Sequence, residues 1–185
     1  MRITTSRLYL REFEMVDLPA VHQYESDPEV VRYVSYGPYT EEECCKDLAF
    51  HVAHQSEQPR TFFHLAIILR SEDHLIGWCG LQITNRQLRE AEIGYALHRH
   101  YWGKGYMTEA AQAMLEYGFA RHNLHRIFGT CHPENHASVR VMQKIGMRME
   151  GHLRENRWSK GAWRDSLLYA ILDHEWQKPY HIKTV

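Results

Sequence analysis

The chain has 185 residues, of which 44% are hydrophobic and 24% are charged, a composition typical of a folded globular protein with one core. Its formal net charge of −1 gives no electrostatic reason to expect a nucleic-acid partner, and no apolar run approaches the roughly 20 residues that span a bilayer. The N-terminus, MRITTSRLYL, lacks the apolar core of a signal peptide, so the sequence predicts a cytoplasmic protein with no membrane partner.

Neither the cysteines nor the histidines are spaced like metal ligands or redox pairs. The four cysteines form no CxxC motif, so we expect reduced thiols that serve mainly in packing: Cys44, Cys45, Cys79 and Cys131. The 14 histidines include the pair His98 and His100, but no third ligand accompanies it at a fixed spacing. The sequence therefore predicts no metal cofactor.

Hydrophobic periodicity predicts one mixed α/β domain that spans residues 1–185. About seven strands are expected, at Ser6–Phe13, Phe62–Leu69, His74–Ile83, Ala91–Leu97, Arg126–Cys131, Met147–Glu155 and Ser166–Leu172. Helical segments are expected at Pro19–Tyr24, at Asp27–Val34, from the Thr40–Glu43 capping box to His54, from Thr108 to Phe119, and at Ala137–Lys144. The segment between the last two strands is expected to be a long loop, Asn156–Arg164.

A glycine-bearing loop links the strand Ala91–Leu97 to the helix that begins near Thr108. Gly103 and Gly105 flank Lys104 in this loop. The first N–H groups of a helix have no intrahelical partner and form its electropositive end, and glycines allow an anion to approach the backbone closely. The loop is therefore a candidate cradle for a phosphate or pyrophosphate, with an ordinary strand-to-helix turn as the alternative. It matches neither the dinucleotide GxGxxG fingerprint nor the P-loop.

The strand before this loop has one open face. Side chains alternate along a strand, so Glu92 shares its face with two small residues, Gly94 and Ala96. The opposite face carries the bulky side chains Ile93, Tyr95 and Leu97. A ligand has room beside the carboxylate of Glu92, and a partly buried carboxyl group is a useful general base. The alternative is a solvated carboxylate, the commoner fate of glutamate.

Two further segments carry candidate ligand-binding residues. Asn135 opens the next helix, where its side chain either caps the helix or points into the cleft beside the central strand, and Ser138 follows in the first turn. The final strand pair carries residues that could line a substrate mouth, although packing and solvation are ordinary roles for them: Arg154, Arg157, Trp158, Trp163 and Arg164.

Taken in order, the segments AEIGYALHRHYWGKGYMTEA, NHAS and KIGM closely resemble the GNAT superfamily of acetyl-CoA-dependent N-acetyltransferases. More narrowly, the chain resembles the RimJ/RimL-type branch, which includes ribosomal-protein N-terminal acetyltransferases. The resemblance runs almost end to end, because the segments TSRLYLREF, SDPEVVRYV and GAWRDSLLYAILDHEW also fit that branch. It implies a single-domain, mixed, V-splayed sheet flanked by helices.

The resemblance also implies roles for individual residues. It implies that acetyl-CoA lies where the two central strands part, with its pantetheine chain against the backbone of Tyr95, Ala96 and Leu97. It implies that the pyrophosphate binds the amides of the loop formed by Trp102, Gly103, Lys104, Gly105, Tyr106, Met107 and Thr108. Asn135 and Ser138 are expected near the thiol end of the cofactor.

The mechanism implied is direct acetyl transfer in a ternary complex. Glu92 is expected to deprotonate the acceptor amine through water, and Ser138 or solvent to protonate the leaving sulfur. A backbone N–H near Tyr95–Leu97 is expected to stabilise the oxyanion. The acceptor can be a protein N-terminus or a small-molecule amine, and a homodimer is a candidate assembly because dimers are frequent in such families.

The chain departs from the family pattern at three positions. Trp102 replaces a polar residue and Met107 a small one in the loop, and Met142 stands where many relatives have an acid tyrosine. The alternative function is therefore a coenzyme A-binding or regulatory module of the same fold without turnover. A nucleotide-binding protein with the same cradle is a third candidate, against which the lack of an aspartate-rich metal site argues.

Overall fold

A computed structural model describes residues 1–176 and the backbone of residues 183–184. The strands are β1 (Arg2–Thr4), β2 (Leu8–Glu12), β3 (Phe62–Leu69), β4 (His74–Asn85), β5 (Glu90–Leu97), β6 (Arg126–Cys131), β7 (Arg148–Ser159), β8 (Ala162–Leu172) and β9 (Lys183–Thr184). The helices are α1 (Leu18–Glu25), α2 (Glu41–His54), α3 (Tyr106–His122) and α4 (His136–Lys144). The predicted mixed α/β class is confirmed. The rest of the predicted span 1–185, residues 177–182 and Val185, lies outside the described residues.

All the strands belong to one sheet, in the order β7-β8-β6-β5-β4-β3-β2-β1-β9. The sheet has nine strands rather than about seven, because the short strands β1 and β9 add an edge that carries little periodic signal. The predicted meander β3-β4-β5 is antiparallel, and β5 pairs with β6 in parallel. Since β5 and β6 run in the same direction, the chain needs a crossover between them, which α3 supplies.

The two central strands part after a short stretch of pairing. The β5–β6 ladder contains only Glu90↔Arg126, Ala91↔Ile127 and Glu92↔Phe128. Beyond this point β5 continues to Leu97 and β6 to Cys131, without further pairing between them. The sheet is therefore splayed into a V, as the sequence resemblance implied.

Helices cover both faces of the sheet. On one face α3 packs over the main core, where Gly118 lets the helix approach so closely that an added Cβ would lie 2.9 Å from Ile127 Cδ1. On the other face α1 and α2 enclose a second core that includes Tyr24 and Leu48. The predicted capping box of α2 is confirmed, because Thr40 accepts the Glu43 N–H and the Glu43 carboxylate accepts the Thr40 N–H. Glu92 lies on the α1/α2 face, whereas Ile93, Tyr95 and Leu97 belong to the core under α3.

The prediction of a helix at Asp27–Val34 is wrong. The segment forms consecutive turns, in which Val31 donates to the Asp27 carbonyl without a helical successor. Its side chains and carbonyls are held by distant residues instead. Arg99 Nε lies 2.9 Å from Asp27 Oδ2, Lys160 Nζ donates to the Val31 carbonyl at 2.6 Å, and the Tyr33 ring stacks on His132.

The prediction of a long loop at Asn156–Arg164 is also wrong. Strands β7 and β8 continue to Ser159 and from Ala162, so that only Lys160 and Gly161 form the turn. Both residues have positive φ, 51° and 75°, as the tight hairpin turn that matches the twist of a β-ribbon requires. The paired strands therefore extend to the tip of the hairpin, where the sequence had suggested a loop.

Candidate active site

The backbone N–H and C=O groups of successive β5 residues point alternately toward β4 and toward β6. His98 donates its N–H to the Ile76 carbonyl, which fixes the phase of hydrogen bonding between β5 and β4. In an antiparallel pair this phase alternates with every residue, so Ala96 directs its backbone groups toward β4. Those of Tyr95 and Leu97 face the opening between β5 and β6. Of the three residues expected to contact a pantetheine chain through the backbone, Tyr95 and Leu97 are placed for it and Ala96 is not.

Glu92 is the last β5 residue paired with β6, and its side chain reaches across the start of the opening. Thr130 Oγ1 on β6 donates a hydrogen bond to Glu92 Oε1 at 3.1 Å. Arg157 Nη2 on β7 donates to Thr130 Oγ1 at 3.4 Å. The half-buried carboxylate is thus oriented by a neutral hydroxyl group rather than neutralised by an ion pair. A carboxylate held in this way keeps lone pairs available for a proton.

On the other face of the sheet, Tyr95 and Ser138 form a pair of hydroxyl groups. The two oxygen atoms are 2.9 Å apart, and burial raises the pKa of the Tyr95 phenol, which therefore stays protonated near neutral pH. Asn135 Oδ1 accepts the Ser138 N–H at 3.1 Å, so Asn135 caps α4. This cap fixes the position of Ser138 at the opening.

A cavity of about 500 Å³ passes through the opening and connects these two groups. Glu92 and Gly94 line it from one face of β5, and Tyr95 lines it from the other, together with Ser138 of α4. The turn segment 27–39 supplies Arg32–Tyr36 to its wall, and the β7–β8 hairpin supplies a further set of polar side chains: Arg157, Ser159, Lys160, Arg164, Asp165 and Ser166. The cavity can therefore hold two reacting groups that approach from opposite faces of the sheet.

The glycine loop lies beyond the C-terminal end of β5. Gly103 and Gly105 have φ values of 75° and 80°, and nothing lies within 4 Å of the place of a Gly103 Cβ. The first intrahelical hydrogen bond of α3 is donated by Glu109 to the Gly105 carbonyl. The amides of Tyr106, Met107 and Thr108 precede this bond at the electropositive end of the helix. The loop has the open, amide-lined form that an anion cradle requires.

The unusual side chains of the loop do not obstruct the cradle. Met107 is 7% exposed, and its side chain packs into the main core. The Trp102 indole N–H donates to the Leu97 carbonyl at 2.6 Å and ties the loop to the end of β5. Lys104 lies over the Tyr101 ring, with its ammonium nitrogen 5.4 Å from the ring centroid. Both departures from the family pattern are therefore compatible with a phosphate site.

Sequence reasoning did not find several residues that surround Glu92. Thr130 has no distinguishing motif, and its role follows only from the pairing of β5 with β6. Of the five residues proposed for a substrate mouth, Arg157 and Arg164 line the cavity. Trp158 and Trp163 are 60% and 57% exposed and meet edge to face outside the cavity lining, and Arg154 does not line it either.

The structure thus combines a parallel strand pair that splays open with an amide-lined loop at the N-terminus of the helix that connects the two strands. A model of the acetyltransferase (GNAT) domain matches residues 7–148, and the chain belongs to this family. The chain is therefore an acyltransferase of a family that uses acetyl-CoA to acetylate amines. Among the described residues no group of three or more side chains is suited to a metal ion, and none of their helices is long and apolar enough to cross a bilayer.

Known proteins resemble the chain over nearly its whole length. An uncharacterized N-acetyltransferase, YnaD of Bacillus subtilis, is 45% identical over 178 residues, which cover 95% of this chain and 99% of the relative. The crystal structure of a GNAT-family acetyltransferase from Bacillus anthracis has a TM-score of 0.83 at 38% identity, with coverage of 94% and 99%. Mycobacterium smegmatis RimJ, solved in complex with CoA-disulfide, has a TM-score of 0.83 at 26% identity, with coverage of 95% and 88%.

Proposed function

We propose that the protein transfers the acetyl group of acetyl-CoA directly to the primary amine of an acceptor within a ternary complex. The observation that carries this proposal is the cavity through the opening of the sheet, with Glu92 on one side and the Tyr95–Ser138 pair on the other. A base and a proton donor on opposite sides of one opening suit a reaction in which an amine attacks and a thiolate leaves. The glycine loop and the free backbone edge of β5 are where the cofactor would bind.

Each group has one role in the proposed reaction. Acetyl-CoA supplies the acetyl group as a reactive thioester. Glu92 accepts the proton of the attacking amine through water, while Thr130 keeps the carboxylate directed into the cavity. The N–H groups of Tyr95 and Leu97 stabilise the negative charge that develops on the carbonyl oxygen. Ser138 donates a proton to the leaving sulfur and takes one back from the Tyr95 hydroxyl group. Solvent then reprotonates Tyr95.

Cys131 lines the same cavity but does not serve as a nucleophile in this proposal. Burial raises the pKa of its thiol to about 11, so the reactive thiolate is scarce at neutral pH. Acetyl transfer to the amine therefore proceeds without a covalent enzyme intermediate. A Cys131→Ala variant is expected to keep its rate of acetylation.

The proposal is tested by thermal unfolding with acetyl-CoA, coenzyme A, dephospho-coenzyme A and ATP, followed by assays of thiol release with primary amines. Ligands that bind the folded state raise the midpoint by mass action. Stabilisation by acetyl-CoA and by coenzyme A, together with amine-dependent thiol release, is the expected result. Stabilisation without thiol release for any amine would favour the coenzyme A-binding module, and absence of stabilisation at millimolar concentration would exclude both functions.

A further inference from the structure

Two arginines face each other on the β7–β8 hairpin, which forms one wall of the cavity. Arg157 and Arg164 are direct partners in the antiparallel ladder, so their side chains project from the same face of the hairpin. Both line the cavity. Like charges directly opposite each other destabilise a strand pair. The position is therefore unfavourable for two arginines unless an anion lies between them.

No carboxylate of the protein compensates these two charges. Within residues 1–176, neither guanidinium group has a carboxylate within ion-pair distance, whereas Arg60 has one and Arg126 has two. Asp165, which follows Arg164 in the chain, is engaged by His152 Nε2 at 2.7 Å and by the Glu155 N–H at 2.9 Å. The arginine pair thus presents unused donors to the cavity.

Arg157 is also linked to the proposed base. Arg157 donates to Thr130 Oγ1, and Thr130 donates to Glu92, so two successive hydrogen bonds link the guanidinium group to the carboxylate. At the tip of the hairpin, Lys160 holds the Val31 carbonyl, and burial together with the Arg164 charge lowers the pKa of the lysine. Among the residues that line the cavity, four are arginine or lysine and three are carboxylates, Glu92, Glu134 and Asp165, so basic side chains are in excess.

We propose that the acceptor is a small-molecule amine that also carries a carboxylate or phosphate group, and that Arg157 and Arg164 bind this anionic group. The inference rests on the proposed acetyl transfer at the same site. Paired guanidinium groups offer planar, bidentate donors that match both anions. Because Arg157 is only two hydrogen bonds from Glu92, the anion and the reacting amine are separated by a short linker in the same molecule.

The cavity is partly open to solvent, but its volume of about 500 Å³, which the acetyl end of the cofactor would share, favours a small acceptor. The segment 27–39 covers it and is fastened to the hairpin by Lys160 and to the other side of the opening by the stacking of Tyr33 on His132, with ring centroids 5.2 Å apart. An acceptor must therefore fit between this cover, the hairpin and β5. An amine of amino-acid size meets this condition.

The experiment compares amines that differ only in the anionic group. The matched pairs are lysine and cadaverine, phenylalanine and phenethylamine, and O-phosphoethanolamine and ethanolamine, and the last pair separates phosphate from carboxylate recognition. For each amine, kcat/KM is measured at saturating acetyl-CoA, and the thermal midpoint is measured with the amine alone. We expect the anionic member of at least one pair to be preferred by about tenfold or more, the range for charge-assisted hydrogen bonds.

Two variants identify the arginines as the cause. Arg164→Gln is expected to raise KM for the anionic amine about tenfold, with kcat and the kinetics of the partner amine without the anion unchanged. Arg157→Gln is expected to reduce the preference for the anionic amine over its partner to a similar degree, whatever change in rate the two amines share through the Thr130 contact. Arg154→Gln is the matched control, because Arg154 is an exposed arginine of the same strand that does not line the cavity. It is expected to behave like the wild type.

Three outcomes overturn the inference. They are equal kcat/KM and equal thermal shifts for both members of every pair, a preference for the members without the anion, and a preference that both arginine variants retain. If acetyl-CoA stabilises the protein while one of these outcomes holds, the anion site fails and the proposed acetyl transfer stands. If acetyl-CoA does not stabilise the protein, the proposed transfer fails, and the thermal shifts with the amine pairs decide the anion site by the same criteria.

Discussion

The Glu109 carboxylate receives the Arg7 side chain at 2.6 Å and so ties the start of α3 to the N-terminal segment. Three further groups converge on it, the Arg7 N–H and the hydroxyl groups of Thr5 and Ser6. Arg7 also donates to the Lys104 carbonyl at 3.0 Å. The glycine loop is therefore held between the first turn of its own helix and residues about a hundred positions earlier, which preorganises its amides.

Replacing Arg7 by glutamine should weaken cofactor binding without affecting chemistry. The loop would lose its contact at Lys104 and one of the hydrogen bonds to Glu109, so the amides would be less well ordered. We expect KM for acetyl-CoA to rise about three- to tenfold with kcat nearly unchanged, since Arg7 is half exposed and its ion pair is screened. Steady-state kinetics with varied acetyl-CoA measure the change. Arg2→Gln, in strand β1, is the control and should leave KM for acetyl-CoA unchanged.

Replacing Glu92 by glutamine should remove the proposed base while preserving shape and the hydrogen bond from Thr130. We expect kcat to fall about 10²- to 10⁴-fold, with acetyl-CoA still stabilising the protein against heat. The remaining activity should depend on pH only through the unprotonated fraction of the acceptor amine. Glu155→Gln removes an exposed carboxylate outside the cavity lining and serves as the control. An unchanged rate and pH profile for Glu92→Gln would contradict the assignment of the base.

The Tyr95–Ser138 pair leads to a prediction about how the leaving thiolate is protonated. Ser138→Ala should lower kcat about 10- to 100-fold, and Tyr95→Phe should have a smaller effect, because Tyr95 acts through Ser138. The double variant should resemble Ser138→Ala, since groups that act as one unit are not additive. An acetyl thioester with a more acidic thiol should recover most of the loss. Additive effects, or losses that do not depend on the thiol, would assign the protonation to solvent.

A buried carboxyl group in the second core should make stability depend on pH. Glu25 is 3% exposed, and its one hydrogen-bond donor in the described chain is the Cys44 thiol at 3.7 Å. Burial, reinforced by the charge of Asp47, raises the pKa of Glu25 to about 8. The folded state therefore keeps a proton that the unfolded chain releases near pH 4.5, so stability should decline as pH rises from about 4.5 to 8 and then level off.

Glu25→Gln removes this dependence because its amide does not ionise. We expect the variant to unfold at a higher temperature than the wild type at pH 9, by several °C, and at a similar temperature at pH 5. Calorimetric or spectroscopic melting at both pH values measures the difference. The exposed Glu41, replaced by glutamine, should give no such pH-dependent gain. A variant that is less stable than the wild type at pH 9 would show that the carboxylate is ionised and stabilised in the folded protein.

The sequence predicted the parts of the site that depend on local order. The strand with Glu92, the glycine loop and the helix after it follow one another in the chain, so periodicity and turn chemistry were sufficient to find them. Thr130 could not be recognised, and the contact of Arg157 with it could not be foreseen, because both depend on where two distant strands separate. The order of strands in space is not encoded in local patterns.

The two wrong elements have related causes. Residues 27–34 have a helix-like pattern, but Arg99, Lys160 and His132 hold them in a different conformation. Tertiary contacts of this kind override local propensity. For the hairpin tip a local signal was present, since Lys160–Gly161 is followed by an alternating strand, and the polar residues around it concealed the turn.

The groups that face the two substrates come from separate stretches of the chain. In the proposed reaction the cofactor side is formed by β5, the glycine loop and the start of α4, whereas the acceptor side is formed by the segment 27–39 and the tip of the β7–β8 hairpin. Substitutions in the second set need not disturb the first. We therefore expect that exchanging the hairpin tip for that of another family member changes the amine that is acetylated and leaves binding of the acetyl donor unchanged.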